Sequence, residues 1–237
     1  MENDPEEIHS RYLVQTGWTK PFRQYLYGKM DFKHPVKILE VGCGTGAAAQ
    51  CIKEEMPFQI DSFMISDIDG NVLKFAHRNF SAGAVQCSGY QLPFQDSFFD
   101  FVYCHYLLLW TAFPSAILNE MYRVLRRDGF CAAVAEPDYS EMTAEPEELL
   151  DLAHKQERIL SQRGADTKTG RKLGDLFNGA GFRKCESGRY RSGGNDWKYI
   201  EQEISQMLRD CRGEKFYIDK KKEYVYNIPT YYAYGMK

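Results

Sequence analysis

Several features that mark other protein classes are missing from this 237-residue sequence. No run of 18 apolar residues occurs, so no transmembrane helix is expected. The first residues, MENDPEEIHSRY, are acidic and polar, unlike the basic and then apolar start of a secretory signal peptide. Internal repeats and low-complexity linkers are also missing. With 43% hydrophobic and 27% charged residues, the composition predicts one soluble globular domain without membrane association.

The seven cysteines include no C-x-x-C pair, are odd in number and are scattered along the chain. This distribution disfavours a disulfide framework and the usual zinc motifs. We therefore expect reduced thiols, a cytoplasmic location and no metal site.

An excess of positive charge is missing as well. The net charge is −3 and the isoelectric point is near 6.0, which disfavours nucleic acid as a main partner. Lys220, Lys221 and Lys222 form one basic run, which is compatible with a local basic patch or with a solvated turn.

Short apolar runs alternate with helical patterns between Val36 and Glu136. The predicted strands are VKILEVG, SFMIS, AVQC, FDFVYCH and FCAAVAE, and the helices between them cover residues 46–55, 71–79 and 115–127. This alternation predicts an α/β fold with a doubly wound, parallel sheet. Farther on, the patterns predict helices over 146–163, 171–178 and 197–209 and two strands, FRKCESGRY and TYYAYGMK.

The stretch EVGCGTGA, residues 40–47, ends the first predicted strand. From Gly42 it fits the G-x-G-x-x-A turn that binds dinucleotides, and from Glu40 it fits the E-x-G-x-G-x-G turn that binds S-adenosylmethionine. The glycines serve both ligands, because they let the chain turn sharply against the ligand. A carboxylate at Glu40 would repel a pyrophosphate and attract the ammonium group of a methionine moiety. The charge therefore favours S-adenosylmethionine.

A second acid, Asp67, ends the second strand, 21 residues after Gly46. A short acid at this place can accept hydrogen bonds from both ribose hydroxyls, in NAD as well as in S-adenosylmethionine. Asp69 is the alternative, but its position just before Gly70 is typical of a helix N-cap. We therefore favour Asp67 as the ribose ligand.

Five blocks occur in one order: ILEVGCGTG, DIDGNVLKFA, LPFQDSFFDFVY, NEMYRVLRRDGF and LGDLFNGAGF. Together they resemble the class I S-adenosylmethionine-dependent methyltransferases, especially the small-molecule branch with the ubiquinone/menaquinone C-methyltransferases. The resemblance runs from about Val36 to Phe182 and is weaker in the tail. It implies a seven-stranded, mostly parallel Rossmann-like sheet whose last strand is antiparallel, with helical cap segments.

The resemblance also implies how the chain is organised. We expect a single domain over residues 1–237. Its expected parts are an N-terminal helical cover (1–34), a cofactor-binding core (35–137) and substrate-side cap insertions (138–170 and 192–226).

Roles for single residues follow from the same resemblance. Glu40 would hold the methionine ammonium, partly through water, Asp67 would bind the ribose, and Ile68 would pack on the adenine. The glycines expected to pass close to the cofactor are Gly42, Gly44 and Gly46.

The next position departs from the family. Many relatives carry an acid there that accepts from the adenine amino group, whereas this chain has Ser88, followed by Gly89 and Tyr90. A serine hydroxyl accepts the same hydrogen bond more weakly than a carboxylate. Either Ser88 or the backbone at Gly89 makes this contact, and all three residues are candidates for cofactor binding.

The segment after the fourth strand, CHYLLLW, lacks the [N/D]-P-P-[Y/F] motif of enzymes that methylate exocyclic amines of nucleic acid or protein glutamine. A small organic acceptor is favoured instead. His105 borders the cofactor cleft and is a further candidate for cofactor binding. Chemically it is either a general base or a hydrogen-bonded wall residue. Tyr106, Glu136 and Tyr139 are further catalytic candidates, because strands four and five border the acceptor pocket in this family.

The expected function is methyl transfer from S-adenosylmethionine to a small organic acceptor by in-line displacement. The alternatives are a methyltransferase for RNA or protein and a non-catalytic S-adenosylmethionine-binding regulatory protein. A monomer or a homodimer is expected. The aromatic residues near both ends of the chain would serve either as acceptor walls or as core packing.

Overall fold

The computed structural model describes residues 5–80, 82–194, 197–219 and 222–237. Lys220 and Lys221 of the basic run lie outside the described residues. The α-helices within these ranges are α1 (Pro5–Trp18), α2 (Lys20–Tyr27), α3 (Ala47–Glu55), α4 (Gly70–Asn79), α5 (Pro114–Val124), α6 (Glu147–Gln162), α7 (Leu173–Gly179) and α8 (Trp197–Asp210). The strands are β1 (Val36–Val41), β2 (Ile60–Asp67), β3 (Gly83–Gln86), β4 (Phe99–Cys104), β5 (Leu125–Pro137), β6 (Thr143–Glu145), β7 (Arg183–Gly194) and β8 (Val225–Met236).

The strands form one sheet in the order β3-β2-β1-β4-β5-β8-β6, and β7 also pairs with β8. Strands β1 to β5 run parallel, and β8 runs antiparallel to its three neighbours. The doubly wound, mostly parallel sheet with an antiparallel last strand is therefore confirmed. The three-residue strand β6 is an addition to the seven strands expected.

The third predicted helix was too long at its C-terminal end. It was expected to reach Arg127, but α5 ends at Val124. Leu125 already pairs with Phe99, and the register then shifts at a bulge before Phe101 meets Phe130. Backbone pairing with β4 therefore takes these residues away from the helical pattern.

Both faces of the sheet are covered, as expected for a parallel sheet. Successive residues of β1 point to opposite sides: Ile38 belongs to the core under α2, α3 and α4, and Leu39 belongs to the core under α5 and α7. A third apolar cluster joins α6, α8 and the start of β8. No helix in the described ranges is long and apolar enough to cross a bilayer.

The N-terminal helices are fastened to the core by Arg23, whose side chain is 1% exposed. Its guanidinium donates to both carboxylate oxygens of Glu55 on α3, each at 2.9 Å, and to the backbone carbonyl of Thr16 at 2.6 Å. It also bonds to the hydroxyl of Thr19. One buried cation therefore joins α1, α2 and α3.

We predict that Arg23→Met destabilises the fold by about 3 kcal/mol, because the largely buried Glu55 carboxylate loses its main partner. The matched control is Lys33→Met, which breaks an ion pair with Asp31 whose side chains are 79% and 78% exposed. The control should stay within about 0.5 kcal/mol of the parent. Urea unfolding measures both, and equal effects would contradict the role given to Arg23.

Candidate active site

A cavity of about 500 Å³ opens at the carboxyl edge of the sheet. One group of lining residues, called the strand-end wall, comes from the ends of β1 and β2 and from the segments that follow β1, β2 and β4. It comprises Glu40, Gly42, Cys43, Gly44, Asp67, Ile68, His105, Tyr106 and Leu107. A second group, called the helix wall, comes from α1, α6, α8 and the segments beside them. It includes Arg11, Tyr12, Trp18, Tyr139, Gln156, Arg163, Tyr199, Glu203, Gln206 and Asp210.

The turn after β1 needs its glycines. Gly42, Gly44 and Gly46 have φ values of +73°, +52° and +80°, which L side chains rarely adopt. A Cβ on Gly42 would also lie 2.5 Å from a methyl carbon of Leu107. Gly42 and Gly44 line the cavity, whereas Gly46 stands at the start of α3 and is not among the lining residues.

Glu40 lies at the base of this turn and is 1% exposed. Its carboxylate accepts from the Tyr103 hydroxyl at 2.9 Å. Burial, together with the nearby charge of Asp67, raises the pKa of Glu40 to about 8, against the opposing effect of the Tyr103 hydrogen bond. The side chain therefore holds a proton at neutral pH unless a cation arrives beside it.

Asp67 shapes the turn as well as lining the cavity. One of its oxygens accepts from the backbone N–H of Gly44 at 2.7 Å, and the other accepts from the N–H of Asp69 at 2.9 Å. Asp69 accepts from the N–H of Asn71 at 2.8 Å, so its predicted role as the N-cap of α4 is confirmed. The two acids have different positions, since only Asp67 lines the cavity.

The residues predicted to contact the adenine differ in whether they line the cavity. Ile68 lines the cavity and is 71% exposed. Ser88, Gly89 and Tyr90 are not among the lining residues. The Ser88 hydroxyl accepts from the N–H of Tyr90 at 3.3 Å, and Gly89 is packed closely beside Ile117.

His105 lines the cavity, and its Nε2 lies 3.2 Å from the hydroxyl of Thr19. Burial, with the positive charge of Arg23, lowers its pKa to about 3. The imidazole is therefore neutral at pH 7 and a weak proton acceptor, which favours the hydrogen-bonded wall over the general base.

The catalytic role predicted for Glu136 does not fit its position. The side chain is fully buried and is not among the cavity-lining residues. Its carboxylate accepts from the backbone N–H groups of Leu107, Leu108 and Leu109 at 2.9, 2.7 and 3.0 Å. Glu136 thus caps the short helical turn after β4, because these amide donors have no partner within so short a turn.

The other two catalytic candidates lie on the cavity. Tyr106 lines it with φ +53°, a left-handed conformation that is uncommon for a tyrosine. Tyr139 also lines it, and burial raises the pKa of both phenols above the usual range. Neither hydroxyl ionises near neutral pH.

Residues of the helix wall escaped the sequence analysis, among them Arg11, Gln156 and Glu203. The only available signal was the spacing of polar residues on the last helix, Glu203, Gln206 and Asp210, which share one face. That pattern is also typical of a solvated helix, so it does not reveal a cavity.

Comparison with known proteins agrees with this geometry. Residues 39–133 match a family model described as a methyltransferase domain. The matched residues run from β1 through the glycine turn and β4 into β5, and they include the strand-end wall.

Relatives of the methyltransferase domain include the ubiquinone/menaquinone biosynthesis C-methyltransferase UbiE of Xanthomonas campestris. The two are 29% identical over 140 residues, which cover 56% of this chain and 54% of the relative. The chain thus spans about half the length of the curated relatives it matches.

Solved structures share the fold over most of the chain. The YcgJ protein of Bacillus subtilis has a TM-score of 0.63 and 13% identity, with 90% of this chain and 97% of that chain covered. Phosphoethanolamine N-methyltransferase 2 of Haemonchus contortus, solved with S-adenosyl-L-methionine, has a TM-score of 0.60 and 15% identity, with 90% and 51% covered. At these identities the likeness concerns the fold alone.

The capping role of Glu136 leads to a stability prediction. Glu136→Ala removes the acceptor of three amide donors and should destabilise the protein by about 3 kcal/mol or more. Glu136→Gln should cost less than half as much, because an amide oxygen can still accept from Leu107 and Leu108. Urea unfolding checks both variants. An alanine variant of parental stability would contradict the capping role of Glu136.

Proposed function

We propose that this protein transfers a methyl group from S-adenosylmethionine to a small organic acceptor by in-line displacement. The observation that carries the proposal is the composition of the strand-end wall, in which a glycine turn, Glu40 and Asp67 line one cavity. A structural neighbour, the Haemonchus contortus enzyme, was solved in complex with S-adenosyl-L-methionine. The match to the methyltransferase domain model supports the same chemistry.

The strand-end wall fits the donor in charge. Glu40 is buried, so an ammonium group would find a carboxylate with little competition from water. Each Asp67 oxygen already accepts one backbone N–H and keeps capacity for ribose hydroxyls. Ile68 offers an apolar surface for the adenine, and Ser88 or the backbone of Gly89 remains our candidate for its amino group, with Tyr90 beside them.

The bound donor supplies a sulfonium whose sulfur leaves as a neutral thioether. The protein's own contribution is alignment and the exclusion of water. Tyr12 and Trp18 of α1 line the cavity, which supports our proposal that residues 1–34 form its cover. We propose that residues 35–137 hold the donor and that the cap segments, 138–170 and 192–226, face the acceptor.

We also propose that the enzyme is cytoplasmic, that it is a monomer or a homodimer, and that its acceptor is a small molecule and not nucleic acid. The relatives named for quinone biosynthesis support a small acceptor. Transfer of labelled methyl to a metabolite pool by the purified chain alone would support turnover, whereas transfer only with a partner protein, RNA or protein extract would favour the other interpretations.

Donor binding tests the site directly. We predict that Asp67→Ala weakens binding of S-adenosylhomocysteine at least tenfold, about 1.4 kcal/mol, while NAD binds neither protein. Asp69→Ala is the matched control, because it removes a helix cap two residues away and leaves the cavity lining intact. Isothermal calorimetry gives the constants, and an unchanged affinity in Asp67→Ala would show that the ribose lies elsewhere.

Donor binding should also release a proton from Glu40. Its pKa of about 8 leaves the carboxyl mostly protonated at pH 6 to 7, and an adjacent ammonium stabilises the ionised form. Affinity for S-adenosylhomocysteine should therefore rise with pH over this range, below the titration of the ligand's own amino group. Calorimetry in phosphate and in Tris counts the protons. Glu40→Gln should bind more weakly and release none, and equal proton release by both proteins would contradict the assignment.

A further inference from the structure

One face of α8 is turned toward the cavity. Tyr199, Glu203, Gln206 and Asp210 all line it, and their spacing of four, three and four residues places them on one stripe of the helix. Donor binding as proposed above uses none of them. This stripe therefore belongs to the part of the cavity that is left for the acceptor.

Both carboxylate oxygens of Asp210 accept hydrogen bonds from other residues of the helix wall. Its carboxylate accepts from the side-chain amides of Gln156 and Gln206, each at 2.9 Å, and from Arg163 at 2.8 Å. These bonds join α6 and its C-terminal end to α8. Asp210 with Arg163 is thus a fixed, charge-compensated part of the helix wall.

Glu203 has a different environment. Its charge acts on four tyrosines around it, namely Tyr106, Tyr139, Tyr199 and Tyr226. The charged groups that face it are Arg11 from α1 and Arg209 and Asp210 from α8. Burial, with the repulsion of Asp210, raises the pKa of Glu203 to about 7, against the two arginines. The carboxyl can therefore gain or lose a proton near neutral pH.

The surroundings of Glu203 favour a positively charged ligand. The rings of Trp18 and Tyr199 meet edge to face with centroids 4.6 Å apart, and Tyr139 lines the same cavity. Aromatic faces attract cations, most strongly where water is excluded. An apolar acceptor would displace water from the Glu203 carboxylate and offer it no hydrogen bond in return, which is costly.

Among the acids that line the cavity, Glu40 and Asp67 are assigned to the donor, and Arg163 compensates Asp210. Glu203 remains for the acceptor, and Arg11 lines the same cavity. An ammonium can pair with the Glu203 carboxylate and with the aromatic faces, whereas an anionic acceptor would be repelled by both.

We propose that the methyl acceptor is an amine, bound as its ammonium beside Glu203 and the rings of Trp18, Tyr139 and Tyr199. Glu203 takes one proton from the ammonium, so an N–H bond breaks and a carboxyl O–H bond forms. The freed nitrogen lone pair then forms the new N–C bond as the C–S bond of the donor breaks and its electrons pass to sulfur. The product is the methylated ammonium, and Glu203 returns its proton to solvent. This inference rests on the proposed function.

Binding probes of one shape and three charges test the acceptor class. Benzylammonium, benzyl alcohol and phenylacetate are titrated at pH 8 into the protein saturated with S-adenosylhomocysteine, whose own binding is measured first. We expect benzylammonium to bind at least tenfold more tightly than the other two. Equal or stronger binding of phenylacetate or the alcohol, or no binding of any probe, overturns the amine proposal. Failure of S-adenosylhomocysteine to bind would instead contradict the proposed function.

Variants on α8 test the residue. Glu203→Gln should lower the affinity for benzylammonium about tenfold and leave S-adenosylhomocysteine binding unchanged. The matched control is Glu201→Gln, an exposed acid on the same helix, which should change neither. An affinity for benzylammonium that is the same in Glu203→Gln as in the parent overturns the assignment, and thermal unfolding verifies that both variants are folded.

The kinetics give a signature that a structural role would not produce. With an amine that is turned over, kcat/KM for the amine should rise with pH through an apparent pKa near 7, because only the free protein with an ionised Glu203 binds the ammonium and accepts its proton. Glu203→Gln should lose this step and about 100-fold in kcat at pH 8, with little change in the KM of the donor. An unchanged kcat or an unchanged pH profile would overturn the base role.

Discussion

The cavity depends on the buried guanidinium of Arg23. It binds Glu55 on α3 through two hydrogen bonds of 2.9 Å and the Thr16 carbonyl at the end of α1, so the N-terminal helices are held over the sheet edge. Its positive charge adds to the effect of burial in lowering the pKa of His105, and it opposes the rise in the pKa of Glu40 that burial causes. One side chain therefore positions the N-terminal helices and affects the pKa of two cavity groups, and its pairing with Glu55 offsets the cost of burying its charge.

Two acids at the same sheet edge show that access, and not acidity, separates a ligand site from a structural contact. Burial raises the pKa of Glu40 and of Glu136 to about 8 in each case. Glu136 accepts from three backbone amides and is closed off from the cavity, whereas Glu40 accepts from a tyrosine hydroxyl and lines it. A shifted pKa is a pointer to function only when the group can be reached by a ligand.

Much of the fold and one wall of the site could be predicted from sequence, because their causes are local. Strand and helix periodicity follow from neighbouring residues, and the glycine turn is a backbone requirement written in consecutive positions. The inward orientation of Glu136 could not be predicted, since it depends on amides that follow another strand. The predicted C-terminal end of the helix over 115–127 was wrong for a similar reason, because Leu125 pairs with Phe99, 26 residues away in the sequence. Tertiary contacts therefore determined the local structure at the positions where the sequence pattern was ambiguous.

The same distinction explains why the proposed donor side could be predicted from the sequence and the proposed acceptor side could not. The strand-end wall is built by turns at the ends of adjacent parallel strands, so fold and motif determine it together. The helix wall needs α1, α6 and α8, which are far apart in sequence and are held together by their own apolar cluster with β8. Side chains on these helices can change without disturbing the glycine turn, Glu40 or Asp67. The proposed donor site therefore does not fix the acceptor, whose chemical class depends on the side chains of the helix wall, above all Glu203.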